Sequence, residues 1–201
     1  GTDAVAGCIV FKGMKPSKKD YRKYNIKNVE GPDDYASMQE VVRRRYTRMM
    51  EEGTTLPDLI ITDGGLGQMS VVREVVEGEL GLHIPIAGLA KDDRHRTNEL
   101  LYGNPPKTIA LKTDSELFHV LTRIQDEVHR YAIQFHRDKR SKHALHSALD
   151  DIAGIGPATR EKLLSEFKSL KRIREASLEA LSAVIGASKA TKVKESLSKN
   201  K

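Results

Sequence analysis

The sequence predicts an α/β fold, a mixed sheet with flanking helices, followed by a small all-α domain. Three stretches predict it. Leu59-Ile60-Ile61-Thr62 is a short run of branched apolar side chains, the pattern of a buried strand, and it ends on Asp63-Gly64-Gly65, whose two glycines let the backbone turn sharply. Ser115 to His136 is a long amphipathic helix, with Leu117, Leu121, Ile124, Val128, Tyr131 or Ala132, and Phe135 in one stripe. From Ala148 the composition changes to short amphipathic helices broken by glycine. Ligands of open α/β sheets gather at the carboxyl ends of strands, which makes Asp63 the first candidate functional group. The competing reading is a helix-capping Asp in a strand-to-helix loop.

Taken in order, Ala4 to Phe11 is nearly continuous and apolar, a buried strand, and it begins almost without a preamble, as a fragment would. Lys12 to Ser17 carries Gly and Pro and reads as a turn. Asp20 to Lys27 alternates, making it the antiparallel partner of the first strand. Gly31-Pro32-Asp33-Asp34 opens a helix over Tyr35 to Glu51, with Tyr35, Met38, Val41, Val42, Arg45 or Tyr46, and Met49 at helical spacing, and Gly53 ends it. After Asp63-Gly64-Gly65 a helix over Gly67 to Glu79 rests on Met69, Val72, Val75 and Val76. Ile84 to Ala90 is a strand, Lys91-Asp92-Asp93-Arg94-His95-Arg96 a charged loop, and Leu100 to Tyr102 with Thr108 to Leu111 a small hairpin. Arg137 to Ser147 is polar and basic and reads as the link to a second unit, so that the domains run 1–142 and 143–201.

Lys and Arg number 34 against 28 Asp and Glu, a net charge of +6. The cations cluster at Lys15 to Lys27, Arg43-Arg44-Arg45, Arg137 to Lys142 and Lys162 to Arg174. With 5% aromatics and no Trp, such patches suit a phosphate backbone better than stacked bases, ordinary solvated helix faces being the alternative. The single cysteine, Cys8, has no internal disulfide partner and fits a reducing compartment. No apolar run approaches the ~20 residues of a membrane span, and there is no signal peptide, so the expectation is a cytoplasmic protein without a membrane partner.

Ile152-Ala153-Gly154-Ile155-Gly156-Pro157-Ala158 is the most specific local motif. It fits a helix-hairpin-helix: an apolar anchor, a tight Gly-x-Gly turn, and a second helix starting on a proline that the first turn tolerates. Its value is a set of backbone N–H groups at the positive end of a helix, open to a phosphate and indifferent to base sequence. Gly186-Ala187-Ser188-Lys189, after Ala183-Val184-Ile185, repeats the pattern, with Ser188 where a second glycine is usual. Two such units would pack as one tandem domain, because neither buries much surface alone. An αα-hairpin with a glycine turn and no ligand is the bland alternative.

Several motifs in one order then carry a resemblance over essentially the whole chain. Val5-Ala6-Gly7-Cys8, Tyr21 to Ile26, Gly31 to Met38, Arg43-Arg44-Arg45-Tyr46, Asp63-Gly64-Gly65-Leu66-Gly67-Gln68, Gly88-Leu89-Ala90-Lys91, Asp126 to Arg130 and His136-Arg137 closely resemble the C-terminal half of UvrC, the nuclease subunit of bacterial nucleotide excision repair. The resemblance implies an RNase H-like endonuclease domain followed by a tandem helix-hairpin-helix domain. It implies a cut on the 5′ side of a lesion, in double-stranded DNA with an opened region held by UvrB, with UvrA involved indirectly. It makes Asp63 a catalytic carboxylate, Asp34 a second acid, and His129 the occupant of a position usually filled by a carboxylate. A further catalytic Asp of the family lies on a first strand ahead of Gly1, and Asp3 does not match it. The chain is therefore expected to lack that strand and acid, to leave one sheet edge open for pairing, and to cleave weakly or not at all in isolation.

The chemistry of the residues points the same way. Phosphodiester hydrolysis needs an activated water and neutralised charge, and a hard divalent ion, Mg²⁺ or Mn²⁺, held by Asp63 and Asp34 would supply both. His129, with Asp126 one turn away, could ligate a metal or shuttle a proton. Asp34 could equally be a helix cap, and Asp33 could exchange roles with it. Gly154, Ile155, Gly156, Gly186, Ser188 and Lys189 are candidate DNA contacts, joined by Arg43 and Arg44 as phosphate contacts and by Lys91 as a phosphate neutraliser beside the site. The rival readings are a non-catalytic, sequence-independent DNA-binding module and a different RNase H-like nuclease such as a junction resolvase. Convergence of Asp63 and His129 favours the nuclease, and opposite faces favour the binding module.

Overall fold

The computed structural model describes residues 4–31, 33–91, 94 and 97–199, so Asp3, Pro32, Asp92, Asp93, His95 and Arg96 lie outside the described residues. The chain divides into two units, Gly1–Ile133 and Gln134–Lys201.

In the first unit β1 (Val5–Cys8) pairs antiparallel with β4 (Arg22–Asn25), Val5 opposite Asn25 and Cys8 opposite Arg22. Between them β2 (Phe11–Lys12) and β3 (Lys15–Pro16) make a two-residue hairpin. The first strand is half-buried and ends at Cys8, short of the fully buried strand its apolar run predicts. A four-stranded mixed sheet follows, in the order β5 (Ile60–Thr62), β6 (Ile86–Lys91), β7 (Thr97–Tyr102), β8 (Lys107–Ala110). β5 and β6 are parallel, as a helical crossover requires, and β6 to β8 are antiparallel. The crossover is α2 (Leu66–Arg73), which runs on as a π-helical stretch over Glu74–Glu79. Met69, Val72, Val75 and Val76 are all buried, as their spacing predicts. They meet Val42 and Tyr46 of α1 (Asp34–Glu51) and Ile84, Ile86 and Leu101 in one core.

α1 carries one buried charge. Glu40 is 4% exposed and accepts from the Lys27 and Asn28 backbone N–H groups (3.0 and 2.9 Å) and from Arg44 (3.0 Å). Burial pushes its carboxyl up, but those donors more than reverse this and hold it below its ordinary value of 4.5. A carboxyl lowered by folding stabilises above its unfolded value, and that contribution is lost as pH falls through the folded one. Glu40→Gln is expected to destabilise the first unit by about 2–3 kcal/mol at pH 7, since buried donors lose their anion. In urea unfolding, the gap from the parent chain should begin to narrow as pH falls below about 4.5, the unfolded value, and close only once pH has passed below the lowered folded value, where both side chains are neutral.

α3 (Glu116–Asp150) is one 35-residue helix. Arg137 to Ser147, expected as a link, is helical throughout, because it contains no Gly or Pro to interrupt the backbone ladder. Residues 134–150 of this helix belong to the second unit. In the first unit its stripe starts later than its spacing predicts: Leu117 is exposed, while Leu121 is buried with Ala87, Leu89 and Leu100. The Tyr21 hydroxyl donates to Glu127 (2.9 Å), and Tyr131 meets the Tyr21 ring edge-on with centroids 5.1 Å apart. Burial and then the Glu127 carboxylate push the Tyr21 hydroxyl up to about 12, so it remains a donor at any physiological pH. These contacts fix the rotation of α3 over the sheet.

The second unit is all-helical. Leu145 and Leu149 of α3, Ile152 and Ile155 of the turn, Leu163 and Leu164 of α4 (Pro157–Phe167), Ile173 of α5 (Leu170–Glu175), Leu181 of α6 (Leu178–Ile185) and Ala190, Val193 and Leu197 of α7 (Ala187–Lys199) form its core. Ser169 and Ser177 cap α5 and α6 by accepting from Arg172 and Ala180 N–H groups. Gly154 and Gly186, both at φ +85°, make the two turns in a backbone region that L side chains avoid.

Candidate active site

β5 delivers Asp63 to its carboxyl end. Thr62 is 5% exposed, and its hydroxyl donates within reach of Gly64 O (2.9 Å) and Ala87 O (3.3 Å), tying the loop after Asp63 to β6. The glycines beyond it are not there for a sharp turn, since neither Gly64 nor Gly65 has positive φ. They are there for close approach. A Cβ on Gly64 would overlap the folded-back Gln68 side chain, and one on Gly67 would overlap the Tyr35 hydroxyl. Opposite Thr62 in the register, a Cβ on Gly88 would lie 2.6 Å from Gly64 O and 2.7 Å from Met69 Sδ. The acid is thus seated by a backbone packed without side chains between its strands.

Three side chains converge on Asp63. His129 Nε2 lies 2.6 Å from Oδ2, Gln125 Nε2 donates to Oδ1 at 3.0 Å, and Lys91 Nζ stands 3.4 Å from Oδ1. Gln125 and His129 are four residues apart on α3 and share a face, one turn beyond Leu121 in the core. Lys91 is the last residue of β6, the parallel neighbour of β5. Asp63 and Lys91 are about one-third exposed and His129 about half, so the cluster opens to solvent and to a large substrate. For Asp63 Oδ2 to accept, the imidazole carries its proton on Nε2. The cluster can therefore hold a proton next to a carboxylate, present a hard oxygen to a cation, and place an ammonium beside a phosphate.

Asp34 does not join this cluster. It is the exposed first residue of α1, and the cap is Asp33, whose carboxylate accepts the Ala36 N–H at 2.9 Å. Tyr35, expected on the apolar face, is 54% exposed, with its hydroxyl over Gly67. Among the described residues no three His, Cys, Asp or Glu side chains gather into a group that could hold a metal. Asp126 is exposed. Gln125 was not among the candidates; its one visible signal is its place four residues before His129 on the stripe side of the helix.

The candidate DNA contacts fall into distinct settings. Gly156 caps α4 at φ −87° with open space where a Cβ would point; Pro157 has no N–H, and the Thr159 and Arg160 N–H groups bond to Gly156 O (3.1 and 3.0 Å), which leaves the Ala158 N–H as the first-turn donor without an acceptor inside the helix. Lys192 Nζ comes to 3.1 Å of a Cβ placed on Gly154. Ile155 is a core residue, 4% exposed, whose N–H already bonds to Ile152 O. Gly186 immediately precedes α7, so Ser188 lies inside that helix and not in the turn, and Lys189 donates to Thr159 Oγ1 at 3.2 Å. Arg43 makes a bidentate pair with Glu79 (2.6 and 2.7 Å), and Arg44 is held by Glu40 and Asn25 O. Those two guanidiniums are neutralised or anchored within the first unit.

Comparison with known proteins agrees with this division. The family profile of the UvrC RNase H endonuclease domain matches residues 1–133, and that of a SAM-like helix-hairpin-helix tandem matches residues 147–199. The chain is 69% identical over 198 residues to a UvrABC system protein C of Bacteroides thetaiotaomicron, covering 98% of this chain and 32% of that protein. It is 68% identical over 197 residues to that of Bacteroides fragilis (98% and 32%) and 56% identical over 184 residues to that of Streptococcus thermophilus (92% and 31%). The chain thus spans about a third of the length of the curated relatives it matches. Among the described residues no helix is long and apolar enough to cross a membrane.

Proposed function

The chain belongs to the UvrC RNase H endonuclease domain family, and on that premise we propose that it hydrolyses a phosphodiester on the 5′ side of a lesion, in duplex DNA opened and presented by UvrB. The observation that carries this reading is the convergence of Asp63 and His129, 66 residues apart in sequence and 2.6 Å apart in space, with Lys91 beside them. Opposite faces would have favoured a passive binding module; the motif order sets this chain apart from a junction resolvase.

The Asp63 carboxylate would hold a divalent ion of the Mg²⁺ or Mn²⁺ kind, which takes one or two carboxylates and completes its shell with water and substrate phosphate. Such an ion would neutralise charge on the scissile phosphate and lower the pKa of a bound water. The protein's own contributions are separable from it. Asp63 holds the imidazole orientation and supplies the negative charge of the site. His129 stands where it can take a proton from an attacking water or return one to the departing sugar oxygen. Lys91, on its flexible stem, can transfer its ammonium from Asp63 to the phosphate. In the second unit, the first turn of α4 and the lysines around it grip the backbone without reading bases.

The test is incision of a duplex with a short unpaired bubble, with UvrA, UvrB and Mg²⁺ or Mn²⁺, at several salt concentrations. Cutting that depends on the divalent ion supports the reading, and cutting unaffected by chelation opposes it. Gly156→Val is the clean probe of the holding step, because φ −87° and the open space around it admit a valine without strain. DNA affinity is expected to fall about tenfold, with the melting temperature unchanged and a shallower salt dependence. Unaltered affinity in a salt titration would remove α4 from the interface.

A further inference from the structure

Asp63 has more partners than its chemistry needs. Two of them must be free to move in the reaction proposed above: Lys91 is a flexible ammonium that can swing to a phosphate, and His129 exchanges protons. The third is different. Gln125 Nε2 donates to Oδ1 at 3.0 Å from the first third of α3, part-buried, one turn past the packed Leu121. Its amide is neutral, so it neither competes with a cation for the carboxylate nor leaves with the phosphate. Its helix is fixed in rotation by Tyr21, Glu127 and Tyr131.

We propose that Gln125 is the positioning residue of the site, holding the plane of the Asp63 carboxylate through Oδ1 so that Oδ2 stays aimed at His129 and the cation. The inference rests on the nuclease reading. Amides and carboxylates that orient a ligating group in this way typically change metal affinity or activity 10- to 100-fold when removed.

Four forms of the complete protein, assayed with UvrA and UvrB, separate the outcomes: the parent, Asp63→Asn, Gln125→Met, which keeps length and loses the donor, and Gln125→His, which restores an N–H. Mn²⁺ binding is followed by electron paramagnetic resonance, single-turnover incision of the bubble duplex at saturating DNA, and thermal melting in parallel. Gln125→Met is expected to melt with the parent, to need about tenfold more Mn²⁺ for half-saturation and to cut about tenfold more slowly, with unchanged DNA affinity. Gln125→His is expected to cut faster than Gln125→Met. Parent-like Mn²⁺ binding and cutting by Gln125→Met overturns the proposal, as does equal impairment of both Gln125 variants, which would mean packing alone. If Asp63→Asn binds Mn²⁺ and cuts like the parent, the nuclease reading itself fails; if it loses both while Gln125→Met loses neither, only the role of Gln125 falls.

Discussion

In the complete protein with UvrA and UvrB, Asp63→Asn and His129→Ala should each slow incision about a thousandfold while leaving DNA affinity within twofold, because removing a positioned acid or base typically costs 10²–10⁴ in rate. Asn keeps the shape of Asp63, but its NH2 puts a donor where one of the accepting oxygens stood among three donors, and it has no charge to hold an imidazolium or a cation. Ala at 129 removes a half-exposed ring, so little packing is lost and the fold should survive. The double variant is expected to be scarcely worse than either single one, since groups acting as one unit are not additive. Single-turnover incision with parallel DNA-binding curves checks all three. Rates that multiply in the double variant would mean that the two side chains act separately, against a shared proton.

Gly88→Ala should be among the most disruptive single-methyl changes in the chain. The new carbon would sit 2.6 Å from the Gly64 carbonyl, which is backbone and cannot rotate away, and 2.7 Å from Met69 Sδ in the core. Overpacking of this kind costs about 1–3 kcal/mol, and a backbone obstacle puts the expected loss near 3 kcal/mol. For a unit of this size that lowers the melting temperature by about 10 °C. The relief available to the chain is to push Gly64 away from β6, which carries Asp63 with it. Incision at a temperature where the variant is still folded should therefore fall as well, by at least tenfold. Calorimetry and incision at 25 °C together read both effects, and a variant that melts early but cuts normally would uncouple the seating of the loop from the chemistry.

How far these features were legible in the sequence follows from the kind of signal each leaves. Met69, Val72, Val75 and Val76 announced a buried helix through spacing alone, and the structure buries all four. The run ending at Asp63 announced a strand with an acid at its end, which is where β5 places it. The two glycine turns were equally readable, because φ +85° leaves few residue types to choose from. What stayed hidden depends on three-dimensional neighbours. The glycines around Asp63 read as a turn, whereas Gly64 and Gly67 make room for Gln68 and Tyr35, distant or folded-back side chains that no local pattern reveals. Arg43 and Arg44 read as a basic patch, because their partners Glu79 and Asn25 lie 36 and 19 residues away. Gln125 is a polar residue on a long helix, and only the arrival of Asp63 from another element gives it a task.

The most direct test crosses two variants with two readouts in the same samples: single-turnover incision rate at saturating DNA, and DNA affinity, for Asp63→Asn and Gly156→Val. If the first unit cuts and the second holds, Asp63→Asn loses the rate and keeps the affinity, while Gly156→Val loses affinity and, once saturated, keeps the rate. Asp63→Asn cutting at the parent rate, or both variants losing both properties together, would contradict a cutting centre built on that carboxylate.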